Sequence, residues 1–414
     1  MMRAKTEERV KRWNDQRWVI DSVIQAIGME WDQPRLAYTL YPCGPDAMGD
    51  FRGVGARVRK FADMHRELAA AARRREMRAE QFEGQGRLLS AGESYFIASL
   101  LWSAARWPIF ENNEKSIHYN ARTVACYDKY AKYASHPVER IEVPFGKGRS
   151  LPGYLHLPRA PKPGERFPCV VSVDGMDGSK EILCAMHGDK FLERGFANFI
   201  YDGPGQGECT ISEIFVTPTN HMDAARAVYQ RLAKHPHIDS ERMVATGVSF
   251  GSYFGLQIAA ALGDRLKGVA VSMVCHQPGA HAIMDMASPS FKMRFMYMAG
   301  FEDERKFDAF MRKFTLLPQA GKIKCPVLIQ AGDDDELSPI EFSHALMDKI
   351  KAPKTFVVYE GERHSIGGGG AAQLGENWFT MLADWCLDRV NGKEAPNEHV
   401  FITALGQAKT TQYR

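Results

Sequence analysis

The chain lacks most of the features that would mark it for a metal, a membrane or a nucleic acid. Its eight cysteines form no Cys-x-x-Cys pair and keep no regular spacing, so neither a zinc site nor a disulfide framework is indicated. No apolar stretch reaches the ~18 residues that a membrane helix needs, and Met1 to Arg9 has no apolar core of the kind a secretory leader carries. Neither sign of charge prevails: 53 Lys and Arg against 50 Asp and Glu leave a formal +3, too little to argue for nucleic-acid or anionic-membrane partners. The run Arg73-Arg74-Arg75 sits beside Glu67, Glu76 and Glu80 and reads as a salt-bridged, solvated helix face. The glycine-rich stretch Gly203-Pro204-Gly205-Gln206-Gly207 has no Gly-Lys-Ser/Thr ending, so it is no nucleotide cradle, and neither cofactor nor metal is expected. What these absences leave is a reduced, cytoplasmic protein of ordinary globular composition, 45% hydrophobic and 25% charged.

At 414 residues the chain is long for one core and suggests a large unit plus a second, helical one. Residues 1–136 carry helical patterning over Trp13–Ile27, Val54–Phe82, Ser90–Trp107 and Ser116–Tyr133. His136-Pro137 breaks that pattern, and Val138 begins strand alternation, with a second strand at Leu151–Leu157 making an antiparallel start. Strands and helices then alternate to about residue 392, the signature of a mostly parallel α/β sheet covered on both faces. Residues 276–317 form a Met- and Phe-rich insert, including Phe291, Met293, Phe295 and Met296, that suits either a cap over a site or ordinary core. Residues 393–414 are polar and contain Pro396, which suggests a partly ordered tail.

Chemistry concentrates in Gly247-Val248-Ser249-Phe250-Gly251, between the strand candidate Met243–Thr246 and the helix candidate Tyr253–Leu262. A serine on that turn is pushed clear of the sheet edge beside a helix N-terminus, where developing negative charge is favoured. Alone, the pattern also fits a helix-capping serine in a glycine turn. Downstream, the apolar run Cys325–Gly332 ends in the acidic loop Asp333-Asp334-Asp335-Glu336, and Lys354–Tyr359 ends near His364. Each thus follows its own strand at the carboxyl edge, in the order serine, acid, histidine. The expected assignment is Ser249 as nucleophile, His364 as general base and Asp335 as the acid; Asp333, Asp334 and Glu336 read as loop charges. The strand-like run Phe167–Val173 leads into Asp174-Gly175-Met176-Asp177-Gly178. That loop would supply one oxyanion N–H from Met176, with Asp177 as the alternative, and Phe250 would supply the other.

Together, Asp202-Gly203-Pro204-Gly205-Gln206-Gly207-Glu208, the Gly-Val-Ser-Phe-Gly turn, the Gly332–Glu336 loop and Arg363-His364 resemble the α/β-hydrolase superfamily over about residues 138–392. More narrowly, Val173–Glu181 and the helical pair around Ser90–Phe96 and Ala104–Phe110 resemble one branch with a helical N-terminal extension. It holds 2,6-dihydroxypseudooxynicotine hydrolase, fungal polyketide-shortening hydrolases and fermentation-respiration switch esterases. The resemblance implies an α/β-hydrolase fold with hydrolysis at a ketone carbonyl or an ester of a small molecule. General carboxylesterase, acyltransferase or peptidase activity, or binding without turnover, are the alternatives, and a homodimer is the protein partner it allows. The division expected is a lid-like helical domain over 1–136 and a catalytic domain over 137–392. Trp102, Trp107 and Phe110 are placed either in the substrate pocket beneath that lid or in the packing of its helices.

Overall fold

The computed structural model describes residues 10–28, 33–146, 148–176 and 178–413. Its first part is built from α1 (Lys11–Ile27), α2 (Gln33–Cys43), α3 (Met48–Gly55), α4 (Met64–Gly84), α5 (Leu88–Arg106) and α6 (Glu114–Tyr133). The expected single stretch Val54–Phe82 is divided, because the Asp63 carboxylate accepts Arg59 N–H at 3.1 Å and Lys60 N–H at 3.2 Å and stops the chain before α4. α2 and α3 were not anticipated; Pro34, Pro42 and the glycines around them hide the helical period. α5 is apolar on nearly every face and buried along most of its length between α4 and α6. Asn113 caps α6 by accepting Ser116 N–H at 2.9 Å.

Ten strands follow: β1 (Val138–Pro144), β2 (Ser150–His156), β3 (Phe167–Val173), β4 (Ala197–Tyr201), β5 (Ile238–Ser249), β6 (Gly268–Val274), β7 (Val327–Gly332), β8 (Lys354–Tyr359), β9 (Glu398–Ile402) and β10 (Ala408–Gln412). They form one sheet in the order β1-β2-β4-β3-β5-β6-β7-β8-β9-β10. β1, β2 and β10 run antiparallel to their neighbours, and the strands from β4 to β9 are parallel. Residues 398–412 therefore depart from the expected tail. The alternation of Val400 and Ile402 lets β9 pair with β8, and β10 folds back on β9 as a hairpin edge.

The two-residue period of the strands sorts their side chains onto two faces. Val170, Val244, Ala270, Leu328 and Val357 pack with Leu382, Ala383 and Cys386 on one side. Val171, Ala245, Val271, Ile329 and Val358 belong to a larger cluster on the other, which continues without a break into Trp13, Phe61, Leu68, Phe96 and Trp107 of the helical part. The helices thus share one core with that face, meeting the sheet itself where Tyr127 of α6 lies against Tyr154 of β2. Polar ties reinforce the seam: Arg106 donates to Gly207 O at 2.8 Å, and Asn112 Nδ2 donates to Thr210 O at 3.0 Å. At the far end, Arg12 donates to Met286 O at 3.0 Å, and Lys11 N–H donates to Glu304 at 3.1 Å.

Candidate active site

β5 hands over to the helix Phe250–Leu262 at Ser249, whose φ of 59° and ψ of −129° lie where L residues are strained. The crossing is tight. A Cβ on Gly247 would collide with the Gly251 carbonyl, and one on Gly251 would lie 2.5 Å from Val173 O. Glycine at both positions is what lets strand and helix meet at this angle. The strained turn leaves Ser249 half-buried at the carboxyl edge of the parallel strands.

Two neighbouring loops bring their side chains to it. Asp335 follows β7, and its side chain is wholly buried; Oδ1 accepts Leu337 N–H at 2.8 Å and Ser338 N–H at 2.9 Å, which fixes the carboxylate plane. His364 follows β8, with Nδ1 3.0 Å from Asp335 Oδ2 and Nε2 3.0 Å from Ser249 Oγ. An ionised carboxylate only accepts, so Nδ1 carries the ring proton and Nε2 offers a lone pair to the serine hydroxyl. The other acids of the loop point elsewhere. Asp333 accepts Gly361 N–H at 2.6 Å, and Glu336 accepts the backbone N–H of His364 at 3.2 Å. The His364 loop is itself pinned by Glu362, which accepts Gly367, Gly368 and Ala372 N–H at 3.0, 3.1 and 3.0 Å. Burial opposes charge on Glu362, but these backbone donors outweigh it and hold the pKa below the usual carboxylate range. Two other histidines are held by partners of their own: His276 lies 3.0 Å from Ser343 Oγ with its pKa pushed down by burial to about 3, and His281 pairs with Asp285.

The β3 loop lies directly over the serine. A Cβ on Gly175 would be 3.1 Å from Ser249 Cβ and 3.2 Å from Phe250 N. Gln206 Nε2 donates to Gly175 O at 2.9 Å and also to Asp174 O, while Arg294 Nε donates to Met176 O at 3.0 Å. A trans peptide turns its N–H opposite to its C=O. With the Gly175 carbonyl drawn to Gln206, the Met176 N–H faces away from Gln206. Asp177 lies outside the described residues. Gln206 and Arg294 were not singled out from sequence. Gln206 is hidden inside a glycine motif, whereas a cation set between Met293 and Phe295 in the apolar part of the insert was a usable signal for Arg294. Cys275 was also missed; its Sγ is 3.8 Å from Ser249 Oγ.

Trp102, Trp107 and Phe110 are placed by the helical part. Trp102 donates Nε1–H to Glu76 at 3.1 Å and lies against Tyr119, and Trp107 and Phe110 join Phe61 and Trp13 in an aromatic cluster. Of the two placements expected from sequence, these contacts are those of helix packing. The 276–317 insert contributes the helix Pro289–Ala299, whose Phe295 ring centroid is 4.6 Å from that of Phe250. Behind the site, fully buried Lys180 reaches Glu181 at 2.6 Å, Glu208 at 2.7 Å and Asp202 at 3.1 Å. Burial opposes its charge, but the three carboxylates outweigh that cost and keep it protonated. Asp202 also accepts the backbone N–H of Lys180 and of Glu208, both at 2.8 Å, so the glycine motif serves as a hub joining two loops.

A strained serine turn at the carboxyl edge of a mixed, mainly parallel sheet, with helices on both faces, defines an α/β-hydrolase. Within that class the chain belongs to the FrsA-like esterase family, which matches residues 69–347. It is 28% identical over 320 residues to 2,6-dihydropseudooxynicotine hydrolase of Paenarthrobacter nicotinovorans, covering 76% of this chain and 81% of that protein. It is 25% identical over 263 residues to esterase FrsA of Yersinia pestis, spanning 61% of each. Among solved structures, that of 2,6-dihydroxy-pseudo-oxynicotine hydrolase superposes with a TM-score of 0.72 at 25% identity, over 87% of this chain and 96% of the other. AbyA5, at 18% identity and a TM-score of 0.59, shares the fold. The chain is therefore a hydrolase, and no helix among the described residues is long and apolar enough to cross a membrane.

Proposed function

We propose that this hydrolase cleaves an acyl bond of a small molecule through a covalent intermediate on Ser249. The bond is an ester or the C–C bond of an aryl ketone or β-diketone. The observation that carries the reading is the unbroken line from Ser249 Oγ through His364 to Asp335, with 3.0 Å at each step, on a serine held at positive φ. His364 Nε2 takes the hydroxyl proton as Oγ attacks the carbonyl carbon, and Asp335 holds the tautomer and stabilises the imidazolium. The N–H groups of Phe250 and Met176 receive the oxyanion, the latter aimed by Gln206 through the Gly175 carbonyl, while Arg294 holds the carbonyl of Met176 itself. The leaving group departs with the proton from His364, and water, activated by the same imidazole, frees the acid. A carbon leaving group needs an electron sink such as a phenol ring or a β-carbonyl; an ester oxygen does not.

The helical part and the 276–317 insert act together as a roof. Their support is the shared core with the sheet and the bonds from Arg12, Arg106 and Asn112 into the insert and the 207–211 turn. Such enclosure excludes water and favours compact acyl groups over lipids and proteins. Trp102, Trp107 and Phe110 hold the roof together from inside. The test is a panel of p-nitrophenyl esters, aryl 1,3-diketones and peptides, run with wild type and Ser249→Ala. Turnover of esters or diketones that vanishes in the variant, with stoichiometric phosphonate labelling of Ser249, is expected. Turnover retained by Ser249→Ala would reject the covalent route, and preference for peptides would reject the substrate class.

A further inference from the structure

We infer that His136, His156 and Cys184 form a binding site for a zinc(II)-class cation at the seam between the helical part and the sheet. Their ligand atoms lie within 4.8 Å of one another, although the three residues come from separate segments. His136 stands in the link between α6 and β1, His156 ends β2, and Cys184 follows the short turn Lys180–Ile182. His156 and Cys184 are buried, and His136 is partly open to solvent, which gives an ion a way in.

The donor set decides the class of ion. Two imidazoles and one thiol suit a borderline-soft d¹⁰ cation, whereas calcium and magnesium take oxygen ligands that this cluster does not offer. His136 Nε2 and His156 Nδ1 face each other at 2.9 Å, and the far nitrogen of His156, Nε2, lies 3.1 Å from Tyr127 Oη. That is the arrangement of a ligating histidine: one nitrogen toward the ion, the other fixed by an outer partner. Asp189 accepts the N–H of Ala185, next to Cys184, at 3.3 Å and also accepts the Cys184 thiol proton, a hydrogen bond that the ion replaces when it binds. Zinc–nitrogen bonds of ~2.0–2.1 Å in a tetrahedron set ligand nitrogens about 3.3 Å apart, so the two rings need part by only about 0.4 Å. The proton balance is simple. Both imidazoles stay neutral, His156 keeping its N–H on the Tyr127 side, and the Cys184 thiol gives up one proton per ion bound. Water takes the fourth position on the His136 side. The bound ion would tie the helical part to β2 and to the loop that continues from residues 174–178, independently of any acyl chemistry at Ser249. Sequence spacing indicated no zinc site because the ligands are brought together only by the fold.

The experiment uses the full chain, stripped with a chelator and kept reduced, titrated with zinc(II) by calorimetry in two buffers of different ionisation enthalpy. One zinc per chain and one proton released are expected, with affinity falling more than about tenfold in Cys184→Ala and in His136→Gln. Cobalt(II) should give tetrahedral d–d bands and a thiolate-to-cobalt charge-transfer band that Cys184→Ala abolishes. If Cys184→Ala does not fold, the wild-type cobalt spectrum and the His136→Gln titration decide the matter. Failure to bind, binding unchanged in both variants, or a cobalt spectrum without the thiolate band would overturn the assignment and leave a hydrogen-bonded Tyr127–His156–His136 chain.

Discussion

Replacing Asp335 by asparagine changes one atom and should nearly silence the enzyme. Oδ1 of Asp335 accepts two backbone N–H groups, from Leu337 and Ser338, while Oδ2 faces His364 Nδ1. An asparagine must keep its carbonyl oxygen on the two N–H donors, because turning it would set an NH₂ against both. Its NH₂ then faces Nδ1, which must become an acceptor, so the ring proton moves to Nε2 and the lone pair that deprotonates Ser249 is lost. The wrong tautomer in a serine triad lowers kcat about 10⁴-fold, close to 5 kcal/mol of transition-state stabilisation. KM should change little, since Asp335 is buried behind the imidazole. Asp334→Asn, which leaves these contacts alone, should stay within about twofold. Steady-state kinetics on the best ester of the panel, with thermal melting to show that folding is intact, reads the result. A folded Asp335→Asn enzyme within about tenfold of wild type would refute the tautomer argument and with it the choice of Asp335.

Three further outcomes follow from the same geometry. Ser249→Gly should raise stability by about 1 kcal/mol in urea unfolding, because glycine tolerates φ near 59°, whereas Ser249→Ala keeps the strained Cβ and should show no gain. Gln206→Leu frees the Gly175 peptide, so kcat should fall about 10²-fold at nearly constant KM, and affinity for a trifluoromethyl ketone should fall in parallel; a rise in KM alone would count against the positioning role. Because the folded pKa of Glu362 is depressed, its stabilisation is full above the unfolded value of about 4.3 and is lost as pH falls through the folded value. Wild type should therefore lose more stability than Glu362→Gln between about pH 5 and 3 by chemical denaturation; identical acid limbs would show that Glu362 does not contribute.

Much of the fold was legible because it rests on local rules. Alternating apolar strands and helices gave the parallel sheet, Pro137 marked where the helices stop, and strand ends located Ser249, Asp335 and His364, since groups at the carboxyl edge follow their strands in sequence. Legibility failed where a residue's partner is remote. β9 and β10 read as a tail because a strand that gains its meaning from pairing with β8 carries only a weak local pattern. Trp102 in α5 and Trp107 and Phe110 just beyond it had two placements open to them, and the contacts of Trp102 with Glu76 and of Trp107 with Phe61 come from segments remote in the chain. The same holds for Gln206 on the Gly175 carbonyl, Arg294 on Met176 and the cluster of His136, His156 and Cys184. The sequence by itself determined the periodicities, the turn chemistry and the order of the catalytic candidates, which are properties of neighbours along the chain. The tertiary structure alone decided which carbonyl each buried donor holds and which distant side chains share a site, because those depend on how the elements stack.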